Sequence, residues 1–369
     1  MESTIIRWPA EVRCAAELTA LRAIDPGPRP PGWQLSPRLV ETFILGSRDS
    51  VKGPDGQAVT ITPKFVGDRR IVQVAIATLA SDRALLLTGE PGTAKSWLSE
   101  HLAAAISGGS QLIIQGTAGT TEEHLKYSWN YALLIAEGPS RHSLVESPIL
   151  RGMQAGQLVR FEELTRCAAE VQDALISILS EKQVVIPELD EVVPAQRGFA
   201  VIGTANVRDR GVNDMSAALK RRFNYVTIPV IADVEQEAQV VERRSQELLR
   251  DLGAEAQVPR DVVVLLASAF AELRRGQTLD GKAKVKSPST VLSTAELISV
   301  VTDGGLMGSF FGNGRATVEN CVAGLLGTVA KENASDVGVL REYLETIVKP
   351  RRDGLWPELY RAGAELLAD

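Results

Sequence analysis

Histidine and cysteine are both scarce in this 369-residue chain, which has three of each. His101, His124 and His142 show no ligand spacing, which argues against a structural zinc site. Cys14, Cys167 and Cys321 stand far apart, form no C-x-x-C pair and are odd in number. That pattern fits a reduced, cytosolic compartment better than a disulfide framework. No apolar run approaches the ~20 residues of a membrane span. Residues 1–18 carry charge too early and too often for a signal peptide. Positive charge is not in excess either. A formal net charge of −6 disfavours nucleic acid as a partner, because backbone binding depends on lysine and arginine. What remains is ordinary globular composition, 44% hydrophobic and 23% charged, in a length that suits two or three domains. The reading is of a soluble, cytoplasmic protein with no membrane partner.

Against that background the stretch 84–96, ALLLTGEPGTAKS, stands out. A buried apolar strand breaks at Gly89, turns through Glu90, Pro91, Gly92, Thr93 and Ala94, and reaches Lys95 and Ser96 at the head of a helical pattern. Successive N–H groups in such a turn, with the helix N-terminus, make a concave anion site. Lys95 supplies a point charge to outer phosphates and the Ser96 hydroxyl ligates Mg²⁺. The phosphate-loop formula has glycine where Ala94 stands. A plain strand–turn–helix with a surface lysine would not need all these parts together, so the stretch predicts a nucleoside triphosphate site.

The rest of the chain is arranged around that stretch. Residues 1–64 read as an extension: a helix from Pro9 to about Ile24 with Val12, Leu18 and Leu21 on one face, a Pro-Gly connector at 26–32, a short helix at 39–45, and a hairpin around Asp55-Gly56. Trp8 and Trp33 suit a partner surface or, more often, the extension's own anchor on the core. From residue 65 strands and helices alternate, the mark of a layered α/β domain with a parallel sheet. A helix over 70–80 is expected to bury Ile71, Val74, Ala75 and Leu79. Segment 116–156 is long and irregular, as functional or disordered stretches are. A second core strand, 157–161, ends in Glu162 and Glu163, placed by alternation on opposite sides. There, one carboxylate can hold Mg²⁺ and its neighbour can polarise the attacking water; otherwise they form a solvated pair. A hairpin at 182–193 precedes the strand 199–206. Its last residue, Asn206, is a donor to the phosphate or the water, or else a cap of the next turn. The basic triplet Lys220-Arg221-Arg222 before the last strand, 225–230, suits an arginine finger offered to a neighbour's nucleotide. From Asp233 the pattern is wholly helical, with Asp233 and Gln236 as a capping box and Ser287-Pro288 as the start of a helix over 290–301.

In order, the chain carries GEPGTAKS, a strand ending in Glu-Glu, Thr-Ala-Asn, LKRRF and a helical domain. This resembles an AAA+ ATPase and, more narrowly, the MoxR family, by FVGDRRIV ahead of the loop, Ala94 in the loop, FEELTR at the second acidic motif, and SPST opening a lid helix. The likeness covers about residues 65–300. It implies an AAA+ parallel five-stranded sheet flanked by helices over 65–231, an all-α lid over 232–369, and an N-terminal extension over 1–64. It implies ATP and Mg²⁺ as cofactors. Gly89 to Trp97 (Gly89, Glu90, Pro91, Gly92, Thr93, Ala94, Lys95, Ser96, Trp97) would bind nucleotide. Ser96 and Glu162 would hold the metal, Glu163 would be the catalytic glutamate, and Asn206 would be sensor 1. Arg222, or failing it Arg221, would be the finger, and Arg166 would face a subunit interface. Three departures stand out: Glu162 for the usual Asp, Arg160 inside an apolar strand, and Ser289 where sensor 2 usually has Arg, with Lys284 or Lys286 as substitutes. The implied activity is ATP-driven remodelling by a homo-oligomeric ring, a hexamer, acting on a protein client, with a von Willebrand A domain protein as partner. A nucleotide-gated scaffold with little turnover is the alternative, ahead of a nucleic-acid-directed motor.

Overall fold

The run Ala84–Gly89 forms a strand buried along its whole length, which only a sheet covered on both faces permits. In this computed structural model, which describes residues 5–81, 83–206, 213–331 and 333–368, it is β1 of a five-stranded parallel sheet. The other strands are β2 (Ile113–Gln115), β3 (Leu158–Glu162), β4 (Ala200–Asn206) and β5 (Phe223–Thr227), in the order β5-β1-β4-β3-β2. Asn206 pairs with Gly89, and Arg160 with Ile202, so the ends of β1, β3 and β4 line up along one edge. Period-two alternation divides the core. Leu85, Leu87, Ile202 and Leu158 face one cluster, and Leu86, Phe161, Val201 and Phe223 face the other.

Helices Arg69–Leu79 and Lys95–Ser107 cover the first face, and Pro148–Ala155 and Ala169–Glu181 the second. Helix Arg69–Leu79 begins where the Asp68 side chain accepts from Arg70 N. It buries Val72, Ala75, Ile76 and Leu79, while Val74, expected inside, is exposed. Helix Lys95–Ser107 is buried nearly all round, because the N-terminal extension covers its outer side. The extension's helices run Ala10–Arg13, Ala15–Ala23 and Pro37–Leu45. The single helix expected near the N-terminus is broken at Cys14 (φ −106°, ψ 22°), and Val12 lies outward. Trp33 is buried with Leu18, Leu21, Phe43 and Ile44 in the sheet's own core cluster, so it serves as an anchor. Arg7 and Arg13 both reach the Glu100 carboxylate, at 2.6 and 2.9 Å, and the Arg13 guanidinium lies 4.8 Å over the Trp97 ring. Burial would raise the Glu100 carboxyl, but its bond from Arg13 and the charges of both arginines hold it below its ordinary value.

Segment 116–156, irregular in sequence, folds as a small excursion from the sheet. A ribbon of Tyr127–Trp129 against Leu144–Glu146 carries the helix Tyr131–Glu137 at its end. The hairpin Gln183–Ile186/Glu191–Pro194 falls where expected. Cys14, Cys167 and Cys321 are free and buried.

The chain divides into two compact units, Met1–Gly89 with Ala94–Ile228, and Pro229–Asp369 with the turn Glu90–Thr93. The second is helical: Val234–Asp251, Arg260–Arg275, Thr294–Phe311, Val318–Ala330, Asp336–Tyr343 and Trp356–Leu366. Asp233 caps its first helix by accepting from Gln236 N. The third helix does not start at Ser287-Pro288. Ser293 and Glu296 form a reciprocal capping box there, while Ser289 is drawn off by Asp336, whose Oδ2 accepts from its N and Oγ at 2.7 and 2.5 Å. Among the described residues no helix is long and apolar enough to cross a membrane.

Candidate functional site

The loop after β1 has the backbone of an anion cradle. Gly89 and Gly92 have φ of 154° and 73°, and Ala94, the N-cap of helix Lys95–Ser107, is left-handed at φ 64°, ψ 25°. That conformation costs an alanine about 1–2 kcal/mol. Such strain persists where the surroundings impose it, as at ligand-binding turns. Within the loop Thr93 Oγ1 donates to Glu90 O at 2.8 Å. Lys95 is buried, and its Nζ donates to Gly89 O at 3.1 Å, folded across the loop it would serve.

Ser96 Oγ donates to Glu162 Oε2 at 2.6 Å. A hydroxyl has one proton and two acceptor sites, so a serine that gives its proton to the carboxylate keeps lone pairs for a cation. A hard hydroxyl oxygen so oriented, with a carboxylate behind it, suits Mg²⁺. Thr204, on β4, donates to the same Oε2 at 2.7 Å. Ser99 Oγ and Arg160 Nη2 donate to Oε1 at 2.5 and 2.8 Å. Glu162 is therefore deeply buried, 3% exposed, and its oxygens are fully used.

Glu163 leaves the strand altogether. Its backbone is left-handed at φ 56°, ψ 39°, so the turn, and not strand alternation, separates the two carboxylates. Its N–H donates to Thr204 Oγ1 at 3.0 Å. Asn206 Nδ2 lies 3.3 and 3.2 Å from the Glu163 oxygens, and Arg166 Nε is 3.1 Å from Oε2. Gly116 makes this turn possible: a Cβ there would stand 2.4 Å from Glu163 O. The chain that follows Asn206, residues 207–212, lies outside the described residues.

The sequence-derived set is thus only partly brought together. Lys95, Ser96, Glu162, Glu163 and Asn206 converge at the ends of β1, β3 and β4, joined by Arg166. Trp97, expected in the nucleotide segment, turns its indole to the extension, with Nε1 donating to Lys64 O at 2.9 Å and its ring 4.3 Å from that of His101. Arg222 spends its guanidinium within its own unit, on Ser180 Oγ (2.9 Å) and Ala218 O (3.1 Å), whereas Arg221 is exposed. Ser289 is held by Asp336, and Lys284 and Lys286 are exposed. Sequence reasoning missed Ser99, Thr204 and the role of Arg160. The signal was there in spacing: Ser96 and Ser99 share a helix side, and Arg160 and Glu162 share a strand face.

Two family models match the chain. One, an AAA domain of the dynein-related subfamily, covers residues 84–223, and one described as a YehL-like AAA+ ATPase C-terminal domain covers 235–366. YehL of Escherichia coli (strain K12) is 43% identical over 359 residues, 96% of this chain and 96% of that protein. YojN of Bacillus subtilis (strain 168) is 24% identical over 72% of this chain and 84% of its own length. Among solved structures, NtrX from Brucella abortus in complex with ATP overlaps 83% of this chain and 69% of its own, at 14% identity and a TM-score of 0.49.

Proposed function

The chain belongs to the YehL-like AAA+ ATPases, and from that premise we propose that it hydrolyses ATP with Mg²⁺ as a MoxR-type remodeller: a ring, of six subunits, acting on a protein client. The observation that carries the hydrolytic part is the Glu163 carboxylate, bracketed by Asn206 and Arg166 one residue beyond the Ser96–Glu162 pair. When bound, the cation supplies charge neutralisation on the phosphate oxygens. Lys95 exchanges Gly89 O for those oxygens, and the loop N–H groups hold the remaining charge. Glu163 accepts the proton of the attacking water, and Asn206 and Arg166 fix the direction in which its oxygens point. Arg221, exposed on the end of the helix Ala217–Lys220, is the better finger toward a neighbouring subunit, since Arg222 is committed within its own chain.

The client-facing surface is the excursion and the hairpin. Helix Tyr131–Glu137 has no buried residue, with Tyr131 65% and Ile135 86% exposed, and the hairpin exposes Val185 and Val192. Tyr127 Oη donates to Glu188 Oε2 at 2.8 Å and Arg141 pairs with Glu191, so the two elements are tied to each other. Burial and the Glu188 carboxylate push the Tyr127 phenol up to about 12, so it stays a donor well into the alkaline range. An apolar, extended segment of polypeptide suits this surface, and a von Willebrand A domain protein is the partner implied by the MoxR likeness.

A second reading, a nucleotide-gated scaffold with little turnover, is favoured by one feature: both Glu162 oxygens already accept two donors each of their own chain. One assay tests the ATP binding that both readings share, and a second separates them. Lys95→Ala is expected to abolish ATP binding and any turnover by about 100-fold or more. Mixing Arg221→Ala with wild-type protein should depress turnover more than in proportion to its fraction. Nucleotide-dependent assembly without phosphate release selects the scaffold instead.

A further inference from the structure

An arginine in the middle of a buried parallel strand is costly unless it is paired, and Arg160 is only 7% exposed. It lies two residues from Glu162 on β3, so both side chains project to one face, toward helix Lys95–Ser107. Its guanidinium is used on three sides. Nε donates to Ser99 Oγ (3.0 Å), Nη1 to Ser110 O (3.3 Å), and Nη2 to Ser96 O (3.1 Å) and Glu162 Oε1 (2.8 Å). Ser99 closes the circuit by donating to the same Oε1. The carboxylate is therefore divided: Oε1 is drawn inward by Arg160 and Ser99, and Oε2 is left to Ser96 and Thr204. An aspartate on this backbone is one methylene shorter and does not span both sets of partners.

Resting on the Mg²⁺·ATP reading of this site, we infer that Arg160 is a positioning residue that lets a glutamate serve where the phosphate-loop chemistry ordinarily takes an aspartate. It tethers Oε1 so that Oε2 alone takes the Ser96 proton, leaving the Ser96 lone pairs for the cation. Its charge offsets that of Glu162, so the site attracts the cation through the Ser96 hydroxyl and the phosphates more than through net carboxylate charge. Arg160 and Glu162 are one unit, and exchanging either by itself is worse than exchanging both.

The test uses the full chain and two readouts. The first is Mn²⁺ binding, followed by electron paramagnetic resonance in the presence of a non-hydrolysable ATP analogue. Glu162→Asp with Arg160 retained should weaken Mn²⁺ by about tenfold or more, the usual cost of disturbing an outer-shell partner. The double variant Arg160→Val/Glu162→Asp should recover most of that loss. Equal Mn²⁺ affinity for wild type and Glu162→Asp, or a double variant as weak as the single, overturns the inference. The second readout is thermal unfolding without nucleotide or metal, on Arg160→Met, Glu162→Leu and the two combined. The singles should unfold well below wild type and the double above both singles; additive losses overturn the pairing itself. Coupled melts in a protein that takes up no Mn²⁺ with the analogue overturn the nucleotide reading instead, and the metal-positioning role with it.

Discussion

Both units of this protein bury ion pairs, and they use them differently. In the helical unit Glu272, almost wholly buried, accepts from Tyr343 Oη (2.7 Å), Arg351 Nη2 (2.7 Å) and Leu279 N (3.0 Å). Glu237 likewise accepts from Arg274 and from Thr294 Oγ1 (2.6 Å). Each network fastens one helix to others, every donor is a fixed side chain or backbone group, and no backbone there is strained. The Arg160–Glu162 network of the α/β unit ends in hydroxyls too, but one of them, Ser96, stands on the first turn of the helix that follows the left-handed Ala94. Beside it stand Ala94 and Glu163, two of the four non-glycine residues with left-handed backbone among the described residues, all four of which lie in this unit. Burial and pairing alone therefore do not mark a functional site. A buried pair whose hydroxyl stands next to strained backbone does.

The comparison can be broken at four places. Arg351→Met, which leaves the buried Glu272 without its ion-pair partner, is expected to cost about 3–5 kcal/mol of stability by chemical denaturation, with ATP turnover per folded molecule unchanged. Turnover falling in step with Arg351 would erase the distinction between the two networks. Next comes the contact between extension and phosphate-loop helix. His101 is fully buried there, and burial, helped by the charges of Arg13 and Lys64, pulls its imidazole down to about 4 against its bond to Trp97 O and the charge of Glu100. The unfolded chain takes up a proton near pH 6.5 and the folded one only near 4, so stability falls as pH drops through that window, by up to about 3 kcal/mol. His101→Phe keeps the ring against Trp97, gives up the Nδ1 contact with Trp97 O at 2.7 Å, and loses no bond at Nε2, which has no hydrogen-bond partner. Its melting temperature should fall less between pH 6.5 and 4 than that of wild type; identical pH profiles would put the acid sensitivity elsewhere. A third change, Gly116→Ala, forces a Cβ onto Glu163 O and should cost about 1–3 kcal/mol, with turnover lost beyond what the melting shift explains. The smallest effect is Ala94→Gly, which relieves the left-handed alanine and should stabilise by about 0.5–1 kcal/mol. A destabilised Ala94→Gly protein would mean that the turn is not strained.

Much of this was legible in the sequence because the relevant signals are local. β1 and β4 are largely apolar runs, each with a threonine near its end, closed by a glycine and an amide, and the Lys-Ser pair follows its turn at fixed spacing. The excursion at 116–156 was not legible. Its strands have three residues each and its helix Tyr131–Glu137 buries none, so only the helix Pro148–Ala155, capped by Ser147 and burying Ile149, Leu150 and Met153, carried a period to read, and that one was missed. The lid helix was placed four residues early because two N-terminal signals, Ser287-Pro288 and Ser293-x-x-Glu296, stand in succession. The second prevails once Asp336 claims Ser289. Arg160 looked like an interruption since its partners, Ser96, Ser99 and Ser110, come from segments about 50 to 64 residues away in the chain.

The central claim is that Glu163 performs chemistry while the loop and Lys95 perform binding. Glu163→Gln, assayed for ATP affinity by calorimetry and for phosphate release under single turnover, separates the two most directly. The account predicts wild-type affinity with release slowed by about 100-fold or more. Release at the wild-type rate, or affinity lost along with it, contradicts the account.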